Sequence, residues 1–188
     1  MFKIICLYGR PASGKTTQAA KIAEEFGFQQ FGMGDRLREE IQSNSPLGQK
    51  IKSFVDQGIL ITDEIMEQVI KNIKINPENK GVVFDGFPRM LSQAKMLEKI
   101  IQESNFEFIG FFNLKVSTKT ALQRIATRGA TENRSDDKDE ETVKNRLDIF
   151  AEESVPLIEH YKNKNYLVEI DGEKSIKEVY AEIKKHLL

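Results

Sequence analysis

Short apolar runs and longer helical patterns alternate along this chain. The runs cover residues 3–8, 28–31 (the weakest), 81–85, 106–114 and 165–171. Such runs suit strands covered on both faces. Between them, patterns of helical type extend over about 14–26, 35–43, 62–75, 90–104, 118–128, 140–161 and 175–187. The alternation predicts an α/β fold, a doubly wound five-stranded parallel sheet with helices on both faces.

Two stretches break the alternation. Residues 32–61 read as a small helical insertion between the second strand and the helix that leads to the third. Residues 129–139 are polar and charged, without apolar periodicity. They read either as a surface loop or, because arginines border them, as a mobile lid. The 188 residues suffice for one domain, 1–188, carrying these two insertions.

Composition narrows the class. Hydrophobic residues make up 39% and charged residues 30%, which argues against disorder. The net charge of −1 leaves no basic field for nucleic acid. The apolar start runs directly into Gly9 without a cleavage-type ending, so no signal peptide is expected. No apolar run approaches the roughly 18 residues of a membrane helix. Cys6 is the single cysteine, which excludes an intramolecular disulfide and a cysteine-cluster zinc site. It fits a reducing cytosol, hence a cytoplasmic location.

Gly9-Arg10-Pro11-Ala12-Ser13-Gly14-Lys15-Thr16 carries chemistry. It matches G-x-x-x-x-G-K-[ST], follows an apolar strand and opens a helical pattern. Gly9 and Gly14 let the backbone curl with its N–H groups inward, making an anion nest. The helix dipole points at the same place. Lys15 adds a charge for β- and γ-phosphates, and the Thr16 hydroxyl can ligate Mg²⁺. The loop implies nucleotide binding without choosing among kinase, GTPase and ATPase.

Asp85 ends the third run, where a P-loop protein commonly holds Mg²⁺ through water. Gly86 permits close approach of a ligand, and Pro88 stiffens the turn presenting Arg89. Arginine discriminates further. There are eight arginines against twenty scattered lysines. Arg10 lies in the loop, Arg36 and Arg38 in the first insertion, and Arg89 after the Asp-Gly turn. Arg124, Arg128, Arg134 and Arg146 flank or occupy the polar stretch. Arg124 and Arg128 are four apart and share a helix face. Bidentate phosphate contacts favour arginine, and transfer between two phosphorylated ligands needs such a clamp. Arg10 and Arg36 also read as incidental surface residues. His160 and His186 lie far from these motifs.

Over nearly its whole length the chain resembles the adenylate kinase branch of the nucleoside monophosphate kinases. The resemblance rests on residues 9–17, Met33-Gly34-Asp35-Arg36-Leu37-Arg38, 58–64, 85–89 with Gln93, 124–128, Arg134-Ser135-Asp136-Asp137, 141–146, Pro156-Leu157 and 171–174. It implies Mg-dependent transfer from ATP to AMP giving two ADP. The balanced surface and a two-ligand site within one chain favour a monomer, and the short polar stretch has no cysteines for a structural zinc. Residues 32–61 would be the monophosphate-binding insertion and 129–139 a short lid. Ala12, Ser13, Gly14, Lys15, Thr16 and Thr17 would wrap the ATP phosphates. Arg124 would lie against the ATP adenine, Arg128 would reach the phosphates, and Lys174 would sit near the base. Met33, Arg38, Ile59, Leu60, Ile61, Gly86, Phe87, Pro88, Arg89, Arg134 and Arg146 would surround AMP. Lys15, Arg89, Arg128, Arg134 and Arg146 would carry catalysis, and Asp136 and Asp137 would fasten the lid. Gln93 would pair with adenine as donor and acceptor.

The chain departs from the family pattern in Gly-Lys-Thr-Thr, in Ala12 and in Met33, which stands where AMP kinases usually carry Thr. A UMP/CMP kinase is the nearest alternative, although such enzymes usually carry Asn at the positions of Gln93 and Met90. A non-catalytic adenylate-binding protein is a third reading. A GTPase is disfavoured, because Asn163-Lys164-Asn165-Tyr166 lacks the aspartate of a guanine motif.

Overall fold

A computed structural model describes residues 1–132 and 135–187, with Ser135 described for its backbone alone. Five strands form one sheet: β1 (Lys3–Tyr8), β2 (Phe28–Gly32), β3 (Gly81–Asp85), β4 (Glu107–Lys115) and β5 (Leu167–Asp171). Their order is β2-β3-β1-β4-β5, and every neighbouring pair is parallel. The helices are α1 (Lys15–Phe26), α2 (Met33–Gln42), α3 (Pro46–Asp56), α4 (Asp63–Lys71), α5 (Leu91–Ser104), α6 (Thr118–Thr131), α7 (Glu140–Asn163) and α8 (Ile176–Lys184). A 3-10 turn, Ser135–Asp137, precedes α7.

The central strand is apolar throughout because both its faces are covered. Ile4, Cys6 and Tyr8 join Val82, Phe84 and Phe111 on one face, packed by Met33, Leu37, Leu97 and Leu157 of α2, α5 and α7. Ile5 and Leu7 join Val83, Phe112 and Leu114 on the other, packed by Ala19, Ile22, Val179 and Ile183 of α1 and α8. The two-residue period of the strand separates these sets. Each large side chain so buried contributes about 1.5–3 kcal/mol.

Local signals set the helix boundaries. Ser45 caps α3 by accepting from the Gly48 N–H at 2.9 Å, with Pro46 in the first turn. Ser117 caps α6, Asp139 caps α7, and Ser175 with Glu178 forms a capping box on α8. Several boundaries differ from the sequence reading, among them α8, which ends at Lys184, and β5, which begins at Leu167. The helix α2 begins at Met33, two residues earlier than expected, and α4 ends at Lys71. The helix α6 runs on to Thr131, so the first part of the expected 129–139 loop is helical.

Close packing of α3 on α2 passes through Gly48. A Cβ there would lie 2.1 Å from the Glu40 carbonyl oxygen and 3.2 Å from the Ile41 Cα. Both obstacles are backbone, so the helices must separate to admit a methyl group. Gly48→Ala is therefore expected to destabilise the protein by about 2 kcal/mol, lowering Tm by about 6 °C despite alanine's better helix propensity. Thermal melts of the two proteins check this, and an unchanged Tm would show that α2 and α3 yield freely.

The strand order reverses at β1, whose neighbours β3 and β4 lie on opposite sides. Open α/β sheets place ligands beyond the carboxyl ends of their strands at such a switch point.

Candidate active site

A cavity of about 760 Å³ opens at that place, lined by Tyr8 of β1, Asp85 of β3 and Gly172 just after β5 among others. The loop after β1 forms its floor. Gly9 has φ +143, and a Cβ there would meet the Leu114 carbonyl oxygen at 2.5 Å. Gly14, at φ +95, is the N-cap of α1 and supplies no side-chain cap. The first turn of α1 therefore offers its N–H groups and positive dipole end to an anion. Ala12 also adopts the left-handed region, at φ +59, a strain of about 1–2 kcal/mol for an L-residue.

Lys15 folds over this loop. Its Nζ donates to the carbonyls of Gly9 (2.9 Å) and Arg10 (2.8 Å) and to Ser13 Oγ (3.2 Å). Burial pulls the Lys15 pKa down to about 8; Asp85 opposes the fall, and Arg89, Arg128 and Arg146 add to it. Thr16 Oγ1 donates to Asp85 Oδ2 at 2.5 Å, joining the loop to the end of β3.

Five of the arginines that the sequence singled out, Arg38, Arg89, Arg124, Arg128 and Arg146, line the same cavity as Lys15. Each is held differently. Arg89 Nε donates to the Gly86 carbonyl at 2.7 Å rather than to a carboxylate. Burial lowers its pKa, Arg146 lowers it further, and Asp85 opposes both. Arg124 donates to the Gly172 carbonyl at 3.1 Å. Arg38 pairs with Asp35 at 2.5 Å, one turn away on α2. Arg128 grips both carboxylate oxygens of Asp137, at 2.5 and 2.8 Å. Arg146 donates to Asp137 Oδ1 at 2.8 Å and to the Asp136 carbonyl at 2.8 Å. Burial alone would raise the Asp137 carboxyl, but the hydrogen bonds from Arg128 and Arg146 hold it below its ordinary value. Burial likewise works against the charge on Arg128, and Asp137 more than restores it.

Among the remaining expected residues, Ala12, Ser13, Gly14, Thr16, Thr17 and Lys174 border the cavity. So do Met33, Ile59, Leu60, Ile61, Gly86 and Gln93. Arg134 lies outside the described residues. Phe87 and Pro88 do not border it: both are buried, and Phe87 packs its ring against Phe84 with centroids 5.5 Å apart. The Phe87 ring therefore supports the turn from the core side. Arg10, read as incidental, bonds the Val116 carbonyl at 2.7 Å and lies over the Phe150 ring.

Gln93 is also more constrained than expected. It is fully buried, and its Oε1 accepts the Arg89 backbone N–H at 2.8 Å, which leaves Nε2 without a partner. A buried amide donor without a partner is costly, and a ring nitrogen of a base would satisfy it. Sequence reasoning missed Gln123 and Thr127, which border the cavity from α6. The available signal was spacing, since Thr127 lies three residues after Arg124 and four after Gln123.

Comparison with known proteins agrees with this geometry. The adenylate kinase family model matches residues 7–166. An adenylate kinase of Elusimicrobium minutum (strain Pei191) is 36% identical over 211 aligned residues, covering 98% of each chain. One from Phocaeicola vulgatus is 37% identical over 180 residues, covering 95% of each. One from Thermus thermophilus is 34% identical over 183 residues, covering 97% of this chain and 96% of the relative. A family match that begins inside β1 and reaches to the edge of β5, joined by relatives aligned almost end to end, means that this chain belongs to the adenylate kinase family.

Proposed function

We infer that the chain catalyses reversible transfer of the γ-phosphoryl group of ATP to AMP, giving two ADP. The observation that carries this reading is the convergence of Lys15 and five arginines, from separate segments of the chain, on one cavity. A triphosphate and a monophosphate laid end to end require that much positive charge, whereas binding a single nucleotide does not.

The acceptor oxygen belongs to a phosphate that is ionised at neutral pH, so no general base is required. Catalysis then rests on alignment and on charge stabilisation. The loop N–H groups and Lys15 would hold the donor phosphates. Arg124, Lys174 and the α6 face would border the donor base. Arg38, Met33 and residues 59–61 would border the acceptor. Arg89, Arg128 and Arg146 would stabilise the migrating group. Phosphates would take the places that Asp136 and Asp137 occupy on Arg128 and Arg146, exchanging one anionic partner for another. Exclusion of water protects ATP from hydrolysis.

Thr16 and Asp85 present hard oxygen atoms in mutual contact, which fits a Mg²⁺ that keeps most of its waters and takes phosphate oxygens. Such an ion would neutralise charge on the β- and γ-oxygens. Among the described residues no helix is long and apolar enough to cross a membrane.

Incubating the purified protein with MgATP and, separately, AMP, CMP, UMP or GMP tests the reading by diphosphate formation. Fastest turnover is expected with AMP. Preference for UMP or CMP would move the assignment to a pyrimidine kinase, and ADP formation without an acceptor would indicate an ATPase.

A further inference from the structure

The wall formed by residues 58–61 is fastened directly to the helix that carries Arg146. Thr142 Oγ1 donates to the Asp56 carbonyl at 3.0 Å, and Asn145 Nδ2 donates to the Gln57 carbonyl at 3.2 Å. These carbonyls end α3, where no intrahelical donor remains for them. Gly58 follows at φ +68, so tightly placed that a Cβ would lie 2.6 Å from the Thr142 carbonyl oxygen and 3.1 Å from Arg146 Cγ. Thr142 is only 6% exposed, and the Asp139 cap accepts its N–H at 2.7 Å. The contact therefore joins two rigid helix ends. One end leads within three residues into Ile59, Leu60 and Ile61, and the other leads within one turn into Arg146. All four of these residues line the cavity.

We propose that Thr142 and Asn145 are positioning residues, which register the acceptor-side wall at 59–61 against the Arg146 guanidinium. The proposal rests on the phosphotransfer reading above. Neither side chain need touch a nucleotide. Both act by fixing the gap in which the acceptor phosphate must lie between residues 59–61 and Arg146. The donor side hangs mainly on other supports, the 9–17 loop, Arg124 and the Gly172 turn, and meets Arg146 through the Asp137 carboxylate shared with Arg128.

The consequence is selective. Losing both hydrogen bonds in the double variant Thr142→Val with Asn145→Ala is expected to raise KM for AMP about tenfold. KM for ATP should stay within about twofold, as expected for a change confined to one ligand's wall. Thr142→Ser keeps the hydroxyl, and combined with native Asn145 it should restore KM for AMP. Gly58→Ala strains the same joint from the opposite side and should give the same selective rise. It also stands in should the double variant fail to fold. Equal rises in both KM values, no change in either, or a Ser variant that behaves like the Val variant would overturn the proposal. ADP formation by the unsubstituted enzyme is measured in the same assay. Its absence would remove the phosphotransfer reading itself, whereas normal turnover with unselective variants would remove only the positioning role.

Discussion

Lys15→Met is expected to lower kcat by about 10³-fold while leaving the fold intact. The methionine keeps the aliphatic stem, so the loop loses a cation and three hydrogen bonds rather than packing. Those bonds run to Gly9, Arg10 and Ser13 within the same loop, and the buried floor of β1 does not depend on them. Near-normal steady-state turnover in a variant with an unchanged melting curve would remove Lys15 from the mechanism. Its pH behaviour follows from the same burial. The pKa is pulled below its ordinary value, to about 8, so raising the pH through that value discharges the ammonium of the free enzyme. Thus kcat/KM for ATP should fall as the pH rises above about 8. The fall in kcat should begin at higher pH, since bound phosphates favour the charged form.

Arg89→Ala should have an effect of similar size, about 10³-fold on kcat. Of the cavity arginines, Arg128 and Arg146 hold carboxylates of Asp136 and Asp137, and Arg38 holds Asp35. The guanidinium of Arg89 holds the Gly86 carbonyl instead, as Arg124 holds that of Gly172, so it need not exchange a carboxylate for an incoming phosphate. Arg89→Lys keeps a cation but loses the planar fork, and should recover only part of the activity. Steady-state rates for the two variants, read beside their melting curves, decide the matter. Turnover by Arg89→Ala within a few-fold of normal would exclude the role.

Much of this arrangement was legible in the sequence because single side chains or short spacings announce it. Continuous apolar runs such as Lys3–Tyr8 declare a strand buried on both faces. A lysine and threonine after two spaced glycines declare an anion nest. Arginines scattered through distant segments declare a shared anion, since solvated surfaces here use lysine. The unread features depend on competition between partners. Asp136 and Asp137 are visible as charges, but nothing local says that each reaches Arg146, or that Asp137 also takes both nitrogens offered by Arg128. Gln93 is visible as an amide, but its prior engagement with the Arg89 backbone comes from the turn geometry. Phe87 sits within a functional motif yet serves the core, a choice made by the Phe84 ring beside it. Gly129 and Thr131 are weak helix formers on either side of Ala130, and continuation from a well-capped α6 carries the helix through them.

The position of β1 at the centre of an all-parallel sheet bears on how the chain is made. It is the earliest strand in chain order, yet both its neighbours emerge from the ribosome much later, β3 first and β4 after it. At about 5–20 residues per second, the nascent Lys3–Tyr8 segment spends seconds with two unmatched edges and two greasy faces. Biogenesis, rather than the finished fold, is where this sequence is most exposed to self-association and most dependent on chaperone shielding.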